Sequence, residues 1–143
     1  MFISDTLKSI LNQNKSNDCQ FEILISDGGS TDGTLEIINT IILNNSNIHL
    51  IDNPQKMVST GFNLALNKAN GEIIIRVDGH CEIAQNYIEK CCNLLKETDA
   101  DIVGGVIETI SFGLIGNAIS IAQSSWFGVG GVKFRSNNLE KPD

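Results

Sequence analysis

No stretch of this 143-residue chain reaches the roughly 18 consecutive apolar residues that a membrane-spanning helix needs. The most apolar segment, residues 114–122, is shorter and is interrupted by Gly116, Asn117 and Ser120. The opening residues Met1-Phe2-Ile3-Ser4-Asp5 have no basic region followed by an apolar run, so they do not read as a signal peptide. Basic residues are few: 10 Lys and Arg stand against 17 Asp and Glu, for a net charge of −7, and they form no cluster. A nucleic-acid partner is therefore not expected, nor adhesion to anionic lipid. Cys19, Cys81, Cys91 and Cys92 contain no Cys-x-x-Cys spacing, which disfavours a zinc knuckle or a redox dithiol. They read as small apolar fillers in a reducing compartment. Linkers, tandem repeats and low-complexity tracts are lacking too. A hydrophobic content of 41% with 19% charged residues suits one globular domain with a core of ordinary size.

What is present alternates between helical and strand patterns. Leu7, Ile10 and Leu11 mark a first amphipathic helix. Phe21-Glu22-Ile23-Leu24-Ile25-Ser26 is a short strand, and Leu35, Ile38, Ile41 and Ile42 form a helical face. Ile48-His49-Leu50-Ile51 is a second strand, with His49 read as structural. Phe62, Ala65, Leu66 and Ala69 recur at helical spacing and stop at Asn70-Gly71. Residues 72–77 form a third strand, whose three consecutive isoleucines suit a parallel strand covered on both faces. Ala84, Ile88, Cys91, Cys92 and Leu95 line a further helix, Ile102-Val103 begins another strand-like segment, and residues 114–125 are compatible with a helix before a loop at 128–131. Strands separated by helices imply βαβ units, a parallel sheet and an α/β fold.

Two aspartates end two of these strands. Asp27 opens the turn Asp27-Gly28-Gly29-Ser30-Thr31-Asp32-Gly33-Thr34, and Asp78 opens Asp78-Gly79-His80. In an open α/β sheet, ligands bind beyond the carboxyl ends of the strands. The first turn supports two readings: a strand-to-helix turn with glycines at tight positions and Ser30 or Asp32 as helix cap, or a nucleotide site in which Asp27 accepts hydrogen bonds from a base or ribose. It is neither a P-loop nor Gly-x-Gly-x-x-Gly. Asp78 and His80, two positions apart around Gly79, can face one divalent ion while the backbone approaches a diphosphate. The plain alternative is a polar strand-end turn with a surface histidine. Lys56 and Arg76 read first as solvated cations and second as phosphate contacts. Trp126 and Phe127 read first as core aromatics and second as a sugar platform.

Together these motifs resemble family 2 glycosyltransferases. The segment Asp27 to Thr34 is similar to the family's Asp-Asp-Gly-Ser-Thr-Asp-Gly-Thr signature. Gly71-Glu72-Ile73-Ile74 followed by Asp78 is similar to its Gly-Glu-x-Ile lead into Asp-x-Asp, with Asn63 and Ala69 at matching positions on the intervening helix. Arg76-Val77-Asp78-Gly79-His80-Cys81-Glu82-Ile83 resembles the subgroup containing succinoglycan-type exopolysaccharide transferases. The resemblance runs from about residue 3 to residue 135 and implies a GT-A fold, three-layered α/β/α with a mostly parallel sheet. It also implies inverting transfer of a sugar from a nucleoside-diphosphate donor, a UDP-sugar being favoured, to a glycan or lipid-linked acceptor. By the same resemblance, Asp27 and Gly28 would meet the nucleoside, and Asp78 and Gly79 the ribose or diphosphate. Asp78 and His80 would hold Mn²⁺ or Mg²⁺. The expected location is the cytoplasm or the cytoplasmic face of a membrane.

The departures are specific. Gly28 stands where the signature has its second acid, and His80 stands where the metal motif has its second aspartate. Glu108, Glu140 and Asp143 are the carboxylates after Asp101; none falls in a match to the family's general base, so no catalytic base is assigned. The family's opening strand, central between the strands at 21–26 and 72–77, has no counterpart here. The expectation is therefore a partial domain over 1–143, with 1–111 binding the donor and 112–143 beginning the acceptor side. An unpaired sheet interior would cost roughly 1–3 kcal/mol per buried backbone group. The competing readings are a catalytically incomplete nucleotide-sugar-binding fragment and an unrelated α/β nucleotidyltransferase.

Overall fold

A computed structural model describes residues 2–13, 20–109, 111 and 113–124. It contains two compact units, Met1–Glu97 and Thr98–Asp143. Cys19, Trp126, Phe127, Glu140, Asp143 and the loop at 128–131 lie outside the described residues.

The first unit opens with α1 (Phe2–Leu11), followed by β1 (Ile23–Asp27), α2 (Thr34–Ile42) and β2 (Ile48–Asp52). β1 and β2 pair in parallel, with Ile23 opposite Ile48 and Asp27 opposite Asp52. Side chains alternate across a strand. Ile23 and Ile25 of β1, with Ile48 and Leu50 of β2, therefore face one side, where they pack with Leu7 of α1 and Ile38 of α2. Leu7 and Ile38 are almost fully buried, and withdrawing each from water contributes about 1.5–3 kcal/mol. The other face of the sheet is covered by α3 (Val58–Leu66). Close approach there depends on Gly61: a Cβ at this position would lie 2.9 Å from both Asn53 Nδ2 and Ser26 Oγ. Helices on both faces of a parallel sheet make the three-layer arrangement that the resemblance implies.

α4 (Tyr87–Glu97) is tied to α1 by buried Gln13, which donates through Nε2 to the Ser9 and Ala84 carbonyls and accepts from the Ile88 N–H through Oε1. Ser9 Oγ accepts the Ile83 N–H. These bonds hold the chain that leads from residue 78 into α4 against α1. In the second unit, α5 (Gly113–Ser124) follows a segment at 98–109 without strand pairing. Ser111 Oγ donates to Asn117 Oδ1, and Ser120 Oγ donates to the Thr109 carbonyl.

Three local expectations change. Residues 72–77 and the segment from Ile102 belong to no strand: the described sheet is two-stranded. A run of isoleucines favours extended backbone, but a strand also needs a neighbour that exchanges hydrogen bonds with it, and neither segment has one among the described residues. Ile73 and Ile74 are consequently 38% and 45% exposed, and Ile102 is 88% exposed. The helix cap of α2 also differs. Its N-cap is Gly33, at φ 89°, with no side-chain bond. Ser30 turns back to Asp27, and Asp32 Oδ1 accepts the Thr34 N–H. α3 stops at Leu66, short of Asn70, whose N–H and Nδ2 are drawn off by the Glu22 carboxylate.

Candidate functional site

The Asp27 carboxylate organises the turn after β1. Oδ2 accepts the N–H groups of Gly29 at 2.7 Å and Ser30 at 2.9 Å, and Oδ1 accepts the Ser30 hydroxyl at 2.6 Å. Partial burial pushes this carboxyl up, but the bonds from the Ser30 hydroxyl and from the Ser30 and Gly29 N–H groups outweigh it and hold the group below the ordinary aspartate range. Asp32 is likewise held low by hydrogen bonds from Thr34, and Glu22 by those from Asn70. Gly29, at φ 83°, permits the reversal.

Lys56 closes over this turn. A Cβ at Gly28 would meet Lys56 Cα at 3.4 Å, and one at Gly29 would lie 3.7 Å from Lys56 Nζ. Lys56 itself has φ 56°, a left-handed conformation uncommon for a residue with a side chain. The sequence pointed to Lys56 first as a solvated cation and only second as a phosphate contact, because nothing local marks a lysine near Pro54 as a neighbour of residues 28 and 29.

The second turn is more open. Asp78 Oδ1 accepts from Arg76 Nε at 3.1 Å and Nη2 at 2.9 Å. The Cys81 N–H donates to the Asp78 carbonyl, closing a four-residue turn. Asp78 and His80 are exposed and Cys81 is half-buried, and the three offer ligand atoms that all lie within 4.8 Å of one another. Gly79 meets Ile3 of α1, 3.6 Å from where its Cβ would stand. The sequence reading did not group Cys81 with Asp78 and His80, having classed all four cysteines as fillers. Buried Cys91 fits that class.

Two cavities adjoin these turns. The larger, about 1030 Å³, is lined by Leu24 and Ser26 of β1, Phe62 of α3, the whole of residues 69–79, and Gly28 and Lys56. The smaller, about 510 Å³, is lined by Asp27, Ser30, Asp32, Val77, Gly79 and His80. Asp27 and His80 thus border one cavity, Gly28 and Asp78 the other, and Gly79 and Ser26 both. Ser26 Oγ is buried with no hydrogen-bond partner among the described residues. The donor set of carboxylate, imidazole and thiol suits a divalent cation.

In a parallel α/β layer, the region beyond the carboxyl ends of the strands, where the Asp27 turn stands, is the usual place for a ligand. The chain belongs to glycosyl transferase family 2, whose pattern it matches over residues 2–133, and the family's fold is GT-A. It is 34% identical over 116 residues to the succinoglycan biosynthesis protein ExoA of Rhizobium meliloti, covering 80% of this chain and 35% of that protein. It is 31% identical over 90 residues to the glycosyltransferase AglE of Haloferax volcanii, covering 62% and 30%. A poly(ribitol-phosphate) beta-glucosyltransferase of Bacillus spizizenii is 31% identical over 111 residues, covering 76% and 17%. The chain thus spans about a third or less of the length of these relatives. No solved structure gives a significant match. The family assignment replaces the alternative of an unrelated nucleotidyltransferase. Among the described residues, no helix is long and apolar enough to cross a membrane.

Proposed function

We propose that this chain is the donor-binding part of a metal-dependent, inverting glycosyltransferase of polysaccharide or other glycan synthesis. It takes a nucleoside-diphosphate sugar, with a UDP-sugar favoured, and serves a glycan or lipid-linked acceptor in the cytoplasm or at its membrane face. The observation that carries this reading is the pairing of Asp78 and His80, whose ligand atoms lie within 4.8 Å of each other in a segment that resembles the family's Asp-x-Asp motif.

Each group has a task in this reading. Asp27 spends three acceptor sites on its own turn. A carboxylate has about four, so one remains for a nucleoside donor group. Gly28 and Gly79 present backbone without side chains, which lets a diphosphate come close. Lys56 brings a positive charge beside residues 28 and 29, favourable for a diphosphate. Asp78 and His80 would hold Mn²⁺ or Mg²⁺, which would supply Lewis-acid stabilisation of the charge growing on the departing nucleoside diphosphate. The acceptor hydroxyl needs a general base, and no residue is assigned to that role.

Calorimetric titration with UDP, with and without Mn²⁺, tests the reading. Binding should require the ion and weaken tenfold or more in His80→Ala. Unchanged affinity in that variant removes His80 from the site. Failure of both UDP and GDP to bind with either Mn²⁺ or Mg²⁺ takes away the main support of the sugar-nucleotide reading. Transfer from a labelled donor then separates an active enzyme from a binding fragment.

A further inference from the structure

We propose that Cys81 is a third ligand at the Asp78–His80 site, and that its sulfur makes the site select a borderline ion such as Zn²⁺ or Co²⁺ over Mg²⁺. The inference rests on the reading that Asp78 and His80 hold a cation, and goes beyond it in naming the third donor and the ion class.

The turn geometry provides the first support. The bond from the Cys81 N–H to the Asp78 carbonyl, at 2.9 Å, folds residues 78–81 back on themselves. That fold is what brings carboxylate oxygen, imidazole nitrogen and Sγ within 4.8 Å of one another. With metal distances of about 2.0–2.1 Å to N or O and 2.3 Å to S, donors around a tetrahedral ion stand about 3.3–3.7 Å apart. The side chains therefore need to close by about 1 Å. Asp78 and His80 are exposed, so rotation about their side-chain bonds can supply that movement. Asp78 keeps Oδ2 for the ion, since Arg76 binds Oδ1 alone.

Donor chemistry provides the second support. Mg²⁺ demands near-octahedral oxygen donors and keeps its waters. Thiolate and imidazole instead suit zinc and its neighbours. Three protein ligands leave a fourth position open, as an ion that must also meet a diphosphate oxygen requires. Ligation converts the Cys81 thiol to thiolate and releases one proton to solvent, with no change in oxidation state. Cys91, buried in α4, lies outside this cluster.

Titration of the whole chain with Co²⁺ alone tests the proposal. A near-ultraviolet thiolate-to-cobalt charge-transfer band should appear, and Cys81→Ser should abolish it although Cys19, Cys91 and Cys92 remain. Affinity for Co²⁺ should fall tenfold or more in that variant. Zn²⁺ should displace Co²⁺ near stoichiometry, and a large excess of Mg²⁺ should not. In the unaltered chain, Zn²⁺ should protect Cys81 from alkylation, read by peptide mass spectrometry, so the test survives if the variant folds poorly. Binding of Co²⁺ that depends on His80 but gives no thiolate band and no protection of Cys81 overturns the third ligand and leaves the two-ligand site standing. Absence of any His80-dependent Co²⁺ binding overturns both.

Discussion

Residues 23–27 and 73–78 share one pattern in sequence, each a largely apolar run that ends on an aspartate followed by glycine. In the fold they differ throughout. The first is β1, paired with β2, its isoleucines packed on α1 and α2 and its aspartate bound by its own turn. The second has no strand partner among the described residues, its isoleucines line a cavity, and its aspartate meets Arg76 and stands exposed beside His80 and Cys81. Hydropathy gives both segments the residue types of a strand. Pairing makes only one of them a strand. The Asp27 carboxylate thus gives most of its acceptor sites to its own turn, while Asp78 and His80 stand exposed.

The largest expected effect tests the packing side of that contrast. Ile38→Ala empties a site that is 1% exposed and should cost about 2–5 kcal/mol in urea denaturation. Ile74→Ala, at a position 45% exposed, should change stability by about 0.5 kcal/mol or less. Equal losses would mean that residues 73–77 belong to the core after all. Next comes Gly61→Ala, which places a methyl 2.9 Å from Ser26 Oγ and from the buried Asn53 side chain. A cost of about 1–3 kcal/mol is expected, together with a wider separation of α3 from β1. A neutral outcome would show that Asn53 can leave its bonds to Met57 and Thr60 without penalty.

Asp27→Asn follows, with an expected loss of about 1 kcal/mol at neutral pH for the weakened charge-assisted bonds. The pH dependence has a definite sign. The Asp27 carboxyl is held below its unfolded value, so its contribution is complete above about pH 4 and is lost as pH falls through the lower folded value. Asp32 and Glu22 act in the same direction. Stability of the parent chain should therefore fall from about pH 4 downward, and the difference between parent and Asp27→Asn should shrink over that window. A constant difference would contradict the bonding described for the turn. The smallest effect is that of Arg76→Ala. Its ion pair with Asp78 is about half exposed, so stability should change by less than about 1 kcal/mol. The substitution also frees Asp78 Oδ1, so affinity for a divalent ion should rise in calorimetry; a fall would give Arg76 a supporting part at the site.

Much of this was legible in the residues, and the places where legibility failed share a cause. Leu7, Ile10 and Leu11 announced α1, Leu35 to Ile42 announced α2, and the apolar runs at 23 and 48 announced the paired strands, because helical and strand periodicities are local properties. The two acid-bearing turns were legible from their glycines and their place at the ends of apolar runs. Residues 72–77 and 102–103 were misread as strands because pairing is decided by what lies alongside in space. Cys81 was classed with the fillers because the order of residues does not show the bond that closes the turn and sets its sulfur near Asp78 and His80. Lys56 was underestimated for the same reason: its contact with residues 28 and 29 crosses from β2 to β1.

The order of residues alone determined the α/β alternation, the membership in family 2 and the identity of the acids that end the two apolar runs, since each is written in short windows of side-chain type and spacing. Tertiary structure decided which extended segments became strands, which carboxylate was tied up and which left open, and that a cysteine would join the aspartate and histidine. Those outcomes depend on backbone partners and on how each turn folds its own side chains together, and a hydrogen bond or a ligand cluster exists only when its members share a place.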